Sequence, residues 1–140
     1  MVAKLMVFVL VFFPSVLFGC QKSPTDPLEM MPEEVVESFY NWYLQNPHNP
    51  LSDRSYQDSP FLSLDMIEYV NQMLDEESRP EADPFLCAQD VPQELSVQPA
   101  EISGVTASVL VTGPLPEYEF TVNLSIDDHE WKIKQVVCRQ

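Results

Sequence analysis

Apolar residues in this chain recur first with a helical period and then with a strand period. Val35, Val36, Phe39, Tyr40 and Tyr43 share one face of a helical wheel and Trp42 widens it, while Glu34, Glu37, Ser38, Asn41 and Gln45 fall opposite. Pro32 suits the first helical position, Glu33 and Glu34 place negative charge at the positive helix end, and Pro47 and Pro50 stop the element. A second stripe gathers Met66, Ile67, Tyr69, Val70, Met73 and Leu74 behind Ser63, a residue suited to capping the helix start. Asp75, Glu76 and Glu77 crowd the negative end of that helix, which is therefore expected to fray. Between the helices, residues 48–59 carry no period and read as loop.

Beyond Asp83 the period changes to two. Val105, Ala107, Val109 and Val111 alternate with Thr106, Ser108, Leu110 and Thr112. Tyr118, Phe120, Val122, Leu124 and Ile126 alternate with polar residues from Glu119 to Ser125, and Trp131 and Ile133 alternate with Lys132 and Lys134. Turns fall at Gly113-Pro114-Leu115-Pro116 and at Asp127-Asp128-His129-Glu130. This spacing sets Val111 opposite Tyr118, Val109 opposite Phe120 and Ala107 opposite Val122. It also sets Ile126 opposite Trp131, Ser125 opposite Lys132, Leu124 opposite Ile133 and Asn123 opposite Lys134. The alternation slips at Gln135, predicting a bulge there that turns Val136 and Cys138 inward. Leu95 to Val97, bracketed by Pro92 and Pro99, fits only a sheet edge. The expectation is an α+β fold, with N-terminal helices on one face of a curved antiparallel meander of about four strands.

The start of the chain adds an address. Met1 to Lys4 form a small positive region and Leu5 to Phe13 an apolar one. The run to Phe18 falls short of the ~20 residues that span a bilayer, and Pro14 interrupts it. Leu17-Phe18-Gly19-Cys20 then resembles the lipobox of bacterial lipoproteins, although Phe18 is bulkier than the residue that slot usually holds. The resemblance implies a signal peptide over 1–19, palmitate-type lipid on Cys20 and a membrane anchorage through it. Gln21 after that cysteine implies the outer membrane of a Gram-negative cell, facing the periplasm. Residues 20–31, with Pro24 and Pro27, read as a polar tether, leaving 32–140 for the folded domain. With Cys20 acylated, Cys87 and Cys138 remain as an even pair in an oxidising compartment. A disulfide between them would contribute about 4 kcal/mol.

Charge narrows the partners. Seven Lys and Arg stand against 22 Asp and Glu, so the net charge is −15, and losing Lys4 with the signal makes it −16. Such a surface repels nucleic acid and anionic headgroups, and steers toward basic partners. Cysteine and histidine spacing supplies no zinc or redox motif, and neither metal nor cofactor is expected. No Ser/His/Asp set or Gly-rich phosphate loop can be assembled, so no catalytic residue is assigned. Groups able to move a proton in a pocket narrow to Tyr40, Tyr43, Asp83 and Asp90, with Gln89 beside Asp90. Capping a turn is the simpler role for the acids. The aromatic run Phe39–Tyr43 is core material first, with Trp42 best placed for a surface contact. Tyr40, Trp42, Tyr43, Gln89 and Asp90 are thus the candidate pocket or partner contacts.

Phe39-Tyr40-x-Trp42-Tyr43-Leu44, Asp83-Pro84-Phe85-x-Cys87-Ala88-Gln89-Asp90 and Trp131-x-Ile133 with Cys138 together resemble a family of secreted bacterial proteins of NTF2-like type (SnoaL-like, cystatin-like α+β cones), some of them envelope lipoproteins. The resemblance runs from about Pro32 to Cys138 and implies a cone-shaped fold and an envelope location without an active site. The first functional expectation is an accessory protein that docks on an envelope protein complex. The alternatives are an inhibitor or immunity protein for a basic cell-wall hydrolase, suggested by the charge, and an isomerase or hydratase of NTF2-like type. The enzyme reading requires a polar, ligand-sized hollow beneath the sheet.

Overall fold

Helix α1 (Pro32–Gln45) starts at Pro32 and ends one residue before Asn46-Pro47. The Glu34 carboxylate accepts the Met31 N–H at 2.9 Å, satisfying one donor that the helix start leaves unpaired. The computed structural model describes residues 30–76 and 81–139. The expected signal peptide, Cys20 and most of the expected tether lie outside them.

Helix α2 (Leu64–Asp75) follows Ser63, whose hydroxyl accepts the Met66 N–H at 3.2 Å. Its buried face is narrower than the apolar stripe suggests. Met66 and Val70 are buried, whereas Tyr69, at the margin of the stripe, is 56% exposed. The segment expected as loop contains a short 3-10 helix, Ser55–Asp58. Tyr56 anchors it: the ring is buried against Phe85 and the hydroxyl donates to Asn71 Oδ1 at 2.6 Å. One anchor makes no period, which is why the pattern did not show the turn.

Five antiparallel strands form the sheet: β1 (Ser96–Val97), β2 (Glu101–Ser103), β3 (Thr106–Thr112), β4 (Glu119–Asp127) and β5 (Glu130–Cys138). Their order is β1-β3-β4-β5, with β2 also pairing β3. Gln98 still donates to Leu110 O at 2.9 Å, but Pro99 has no N–H, so β1 and β2 are separated there. That interruption explains five strands where about four were expected. Val105, expected inward, is 65% exposed in the turn between β2 and β3.

The β3–β4 register differs from expectation by two residues. Val111 pairs with Phe120, Val109 with Val122 and Ala107 with Leu124. Gly113 donates to Tyr118 O at 2.8 Å, so the loop is Pro114–Glu117, placing both N–H-less prolines outside the ladder. An even shift keeps every side chain on its expected face. Across β4–β5, Ile126–Trp131, Ser125–Lys132 and Leu124–Ile133 pair as expected. The irregularity comes one residue early: Asn123 meets Gln135 rather than Lys134. Val136 and Cys138 then lie opposite inward-facing Val122 and Phe120. Lys134, left out of the ladder, reaches Asp65 on α2 at 2.7 Å.

The helices cover one sheet face, and Phe39, Tyr40, Phe85, Val109, Phe120 and Val122 fill the space between. Part of the β5 edge is closed by the segment before α2, with Ile133 N–H to Phe61 O at 2.8 Å and Ser63 N–H to Ile133 O at 3.0 Å. Among the described residues no helix is long and apolar enough to cross a membrane.

Candidate functional site

The segment Asp83–Ala88 is held more tightly than any loop needs to be for connection alone. Asp83 N–H donates to Ala88 O at 2.8 Å, and Cys87 N–H to Asp83 O at 2.8 Å, closing a turn. Asp83 Oδ1 accepts the N–H groups of Phe85 at 2.8 Å and Leu86 at 3.2 Å, while Oδ2 accepts the Tyr43 hydroxyl at 2.7 Å. Tyr40 donates to Phe85 O at 2.7 Å, and Tyr118 donates to Leu86 O. Phe85 and Leu86 are fully buried, Phe85 packing against Phe39, Tyr43 and Tyr56. Cys87, at a left-handed φ of 56°, is disulfide-bonded to Cys138 on β5, with a Cα–Cα distance of 5.4 Å.

Burial sets the electrostatics here. It raises the Asp83 carboxyl above its usual range, against the lowering effect of the Tyr43, Phe85 and Leu86 donors. It likewise raises the Tyr40 and Tyr43 hydroxyls, with Asp83 adding to both, and pushes Tyr118 up to about 12. These tyrosines are therefore neutral donors at physiological pH. All three hydroxyls are spent on the turn, as are both Asp83 oxygens. The cluster positions a loop; it does not present a proton-transfer group to a ligand. The place beneath the sheet where an isomerase would need a hollow is occupied by aromatic rings.

The turn leads to the surface. Ala88–Pro92 and the β3–β4 loop border a shallow depression of about 380 Å³, lined by Gln89, Asp90, Val91, Pro114, Leu115 and Tyr118 among others. A second hollow of about 410 Å³ lies on the other side of Leu115, against Pro116, Glu117 and Tyr118. Leu115 is 68% and Val91 53% exposed. A separate groove of about 430 Å³ runs between α1 and residues 93–97, with mainly polar walls including Glu37, Asn41, Gln45, Gln93 and Glu94.

The five candidate contacts thus separate. Tyr40 and Tyr43 lie under the turn; Trp42 is partly buried, its ring 6.0 Å from Phe39 and 6.2 Å from Tyr43. Of these five, Gln89 and Asp90 are the ones exposed at the depression. Val91 and Leu115 were not singled out as contacts. A lone apolar residue between two prolines at a hairpin tip is the signal that would have found Leu115, since a turn gives it nothing to bury against.

No family model and no curated protein sequence matches this chain. Among solved structures it is similar to Tai3 of the type VI effector–immunity complex Tae3–Tai3 from Ralstonia pickettii. With the selenomethionine form the TM-score is 0.65 at 26% identity, covering 79% of this chain and 97% of that one. With the native form it is 0.65 at 25% identity, covering 78% and 95%. The likeness lies with an effector-binding protein and supplies no support for the NTF2-like expectation.

Proposed function

We propose that this chain is an immunity protein that binds and neutralises a type VI effector of the cell-wall hydrolase class. The observation that carries the reading is its likeness to Tai3 over nearly all of that chain, a protein solved together with its effector. It favours the inhibitor alternative over an accessory subunit of an envelope complex. The acidic chain adds to it, because a charge of −15 suits a basic partner and speeds encounter with one. The lipobox-like Leu17–Cys20 fits the same role: a lipid on Cys20 would hold the inhibitor on the periplasmic side of the outer membrane, where a cell-wall hydrolase acts.

The test is protection. The same strain's counterpart of the Tae3 effector, exported to the periplasm of a host cell, should lyse it, and co-expression of this full chain should restore growth. The purified domain should also bind that effector with slow dissociation. Undiminished lysis together with no measurable binding would overturn the reading. Radiolabelled palmitate incorporation that Cys20→Ala abolishes would establish the anchor; protection by an unlabelled chain would remove the lipid and keep the immunity role.

A further inference from the structure

We propose that the partner docks on the face built from Gln89–Glu94 and the Pro114–Glu117 loop, and that it presents there an apolar side chain flanked by lysine or arginine. This rests on the immunity reading above. Exposed Tyr69 stands apart; Ile102, Val105 and Ile126 gather at the β2–β3 turn, where Val105 O accepts the Ile126 N–H at 3.0 Å, but a cation, Lys132 opposite Ser125, stands beside them. Val91 and Leu115 instead share one depression, with proline rings on both sides. Asp90, Glu94 and, in the adjoining hollow, Glu117 rim this face, and neither 89–97 nor 112–118 contains a lysine or arginine. An apolar centre within an acidic rim is the complement of an apolar anchor within a basic one.

The face is also built before the partner arrives. The disulfide ties Cys87 to β5, the Tyr118 hydroxyl ties the two walls together through Leu86 O, and Pro92, Pro114 and Pro116 restrict the backbone of both. Little ordering entropy remains to oppose binding. A second copy of the chain is a poor occupant, because it would bring the same acids against these. The groove beside α1 is a poorer surface, with polar walls and its Tyr40 hydroxyl already bonded to Phe85 O.

The test measures affinity of the full mature chain for the purified effector of the same strain. Leu115→Asp should weaken binding about 30-fold or more, as loss of a central anchor does. The triple variant Asp90→Asn, Glu94→Gln, Glu117→Gln should weaken it about tenfold at low salt and much less at high salt. Lys134→Ala, on the opposite flank, should leave affinity unchanged. Circular dichroism should show each variant folded, since all of these positions are exposed or at the rim. If the wild type binds and the Leu115 and acidic variants bind equally well, the docking face is overturned while the immunity reading stands. If the wild type does not bind, both fall. If the chain alone is a dimer that Leu115→Asp dissociates, the face belongs to a second copy and the proposal is overturned.

Discussion

Two flanks of this domain handle charge and constraint in opposite ways. Where α2 meets β5 and the 3-10 turn, each cation has an acid: Arg54 with Asp75, Lys134 with Asp65, and Lys132 with Glu130, Lys132 also reaching Pro60 O at 2.6 Å. All three cations of this flank are paired, and the Arg54 and Lys134 links are exposed or half-exposed. Around 83–97 and 112–118 there are acids and no cations, and the links are a disulfide and buried hydroxyls. Arg139, which pairs with Glu119 at the hairpin base, only cancels the charge of its partner. Rigidity here goes with the absence of any cation rather than with ion pairing. The flank whose acids have no cation among them is also the one fixed by covalent and buried contacts.

The largest effect should come from cutting that constraint. Cys87→Ser with Cys138→Ser opens a link across a sequence separation of 51, and should cost about 2–5 kcal/mol in denaturant unfolding. A loss as small as that of a surface ion pair would erase the contrast between the flanks. Next comes Gly113→Ala. A Cβ there would lie 1.9 Å from Tyr118 Cδ1, so the ring must swing away and release Leu86 O. The expected loss is about 1–3 kcal/mol. Tyr118→Ala in the same chain should make the two changes non-additive, because the clash would already be relieved.

Much of this was legible in the sequence, and what was not has identifiable causes. Pro32, Ser63 and the alternation from Ala107 to Ile133 act through neighbours in the chain, so helix starts, strand faces and the β4–β5 register could be read directly. Counting cysteines paired Cys87 with Cys138 before any geometry. The β3–β4 register could not be chosen from faces alone, because a shift of two preserves them; hydrogen bonding at Gly113 decides it. The role of Asp83 was reachable only as an alternative to proton transfer, since Tyr43 lies forty residues away in sequence. The docking face was illegible for a different reason: Val91 and Leu115 belong to no period, and only the fold brings them together. Net charge suggested a basic partner and carried no place for it on the surface.

A smaller effect tests the buried part of the constraint through pH. The folded-state Asp83 carboxyl is raised above its ordinary 3.8 by burial, so the folded chain holds that proton longer than the unfolded one. Stability from this group is therefore full below pH 3.8 and is lost as pH rises through the folded value. Asp83→Asn, which cannot ionise, should flatten the fall in stability across that window in urea titrations at stepped pH. An unchanged slope would mean that the Asp83 environment is as wet as the ion-paired flank. The tyrosines repeat the sign at high pH: with Tyr118 pushed up to about 12, stability should fall again above pH 10.

The smallest effects should come from the ion-paired flank, and their order is set by the α2 dipole. Arg54 and Asp75 are 2.6 Å apart with side chains 43% and 65% exposed; Lys134 and Asp65 are 2.7 Å apart with side chains 39% and 76% exposed. Water competes for such pairs, so Arg54→Ala and Lys134→Ala should each lower Tm by no more than about 2 °C. They should not be equal. Losing Lys134 leaves Asp65 in the first turn of α2, where the helix dipole favours a carboxylate. Losing Arg54 leaves Asp75 in the last turn, where the dipole opposes it. Arg54→Ala should therefore be the costlier change, and salt should narrow the gap by screening both the pair and the dipole. Thermal melts of both variants at low and high salt decide the matter. A larger loss for Lys134→Ala would mean that the bulge placing Lys134, rather than α2, governs this flank, which would then depend on strand geometry as closely as the docking face does.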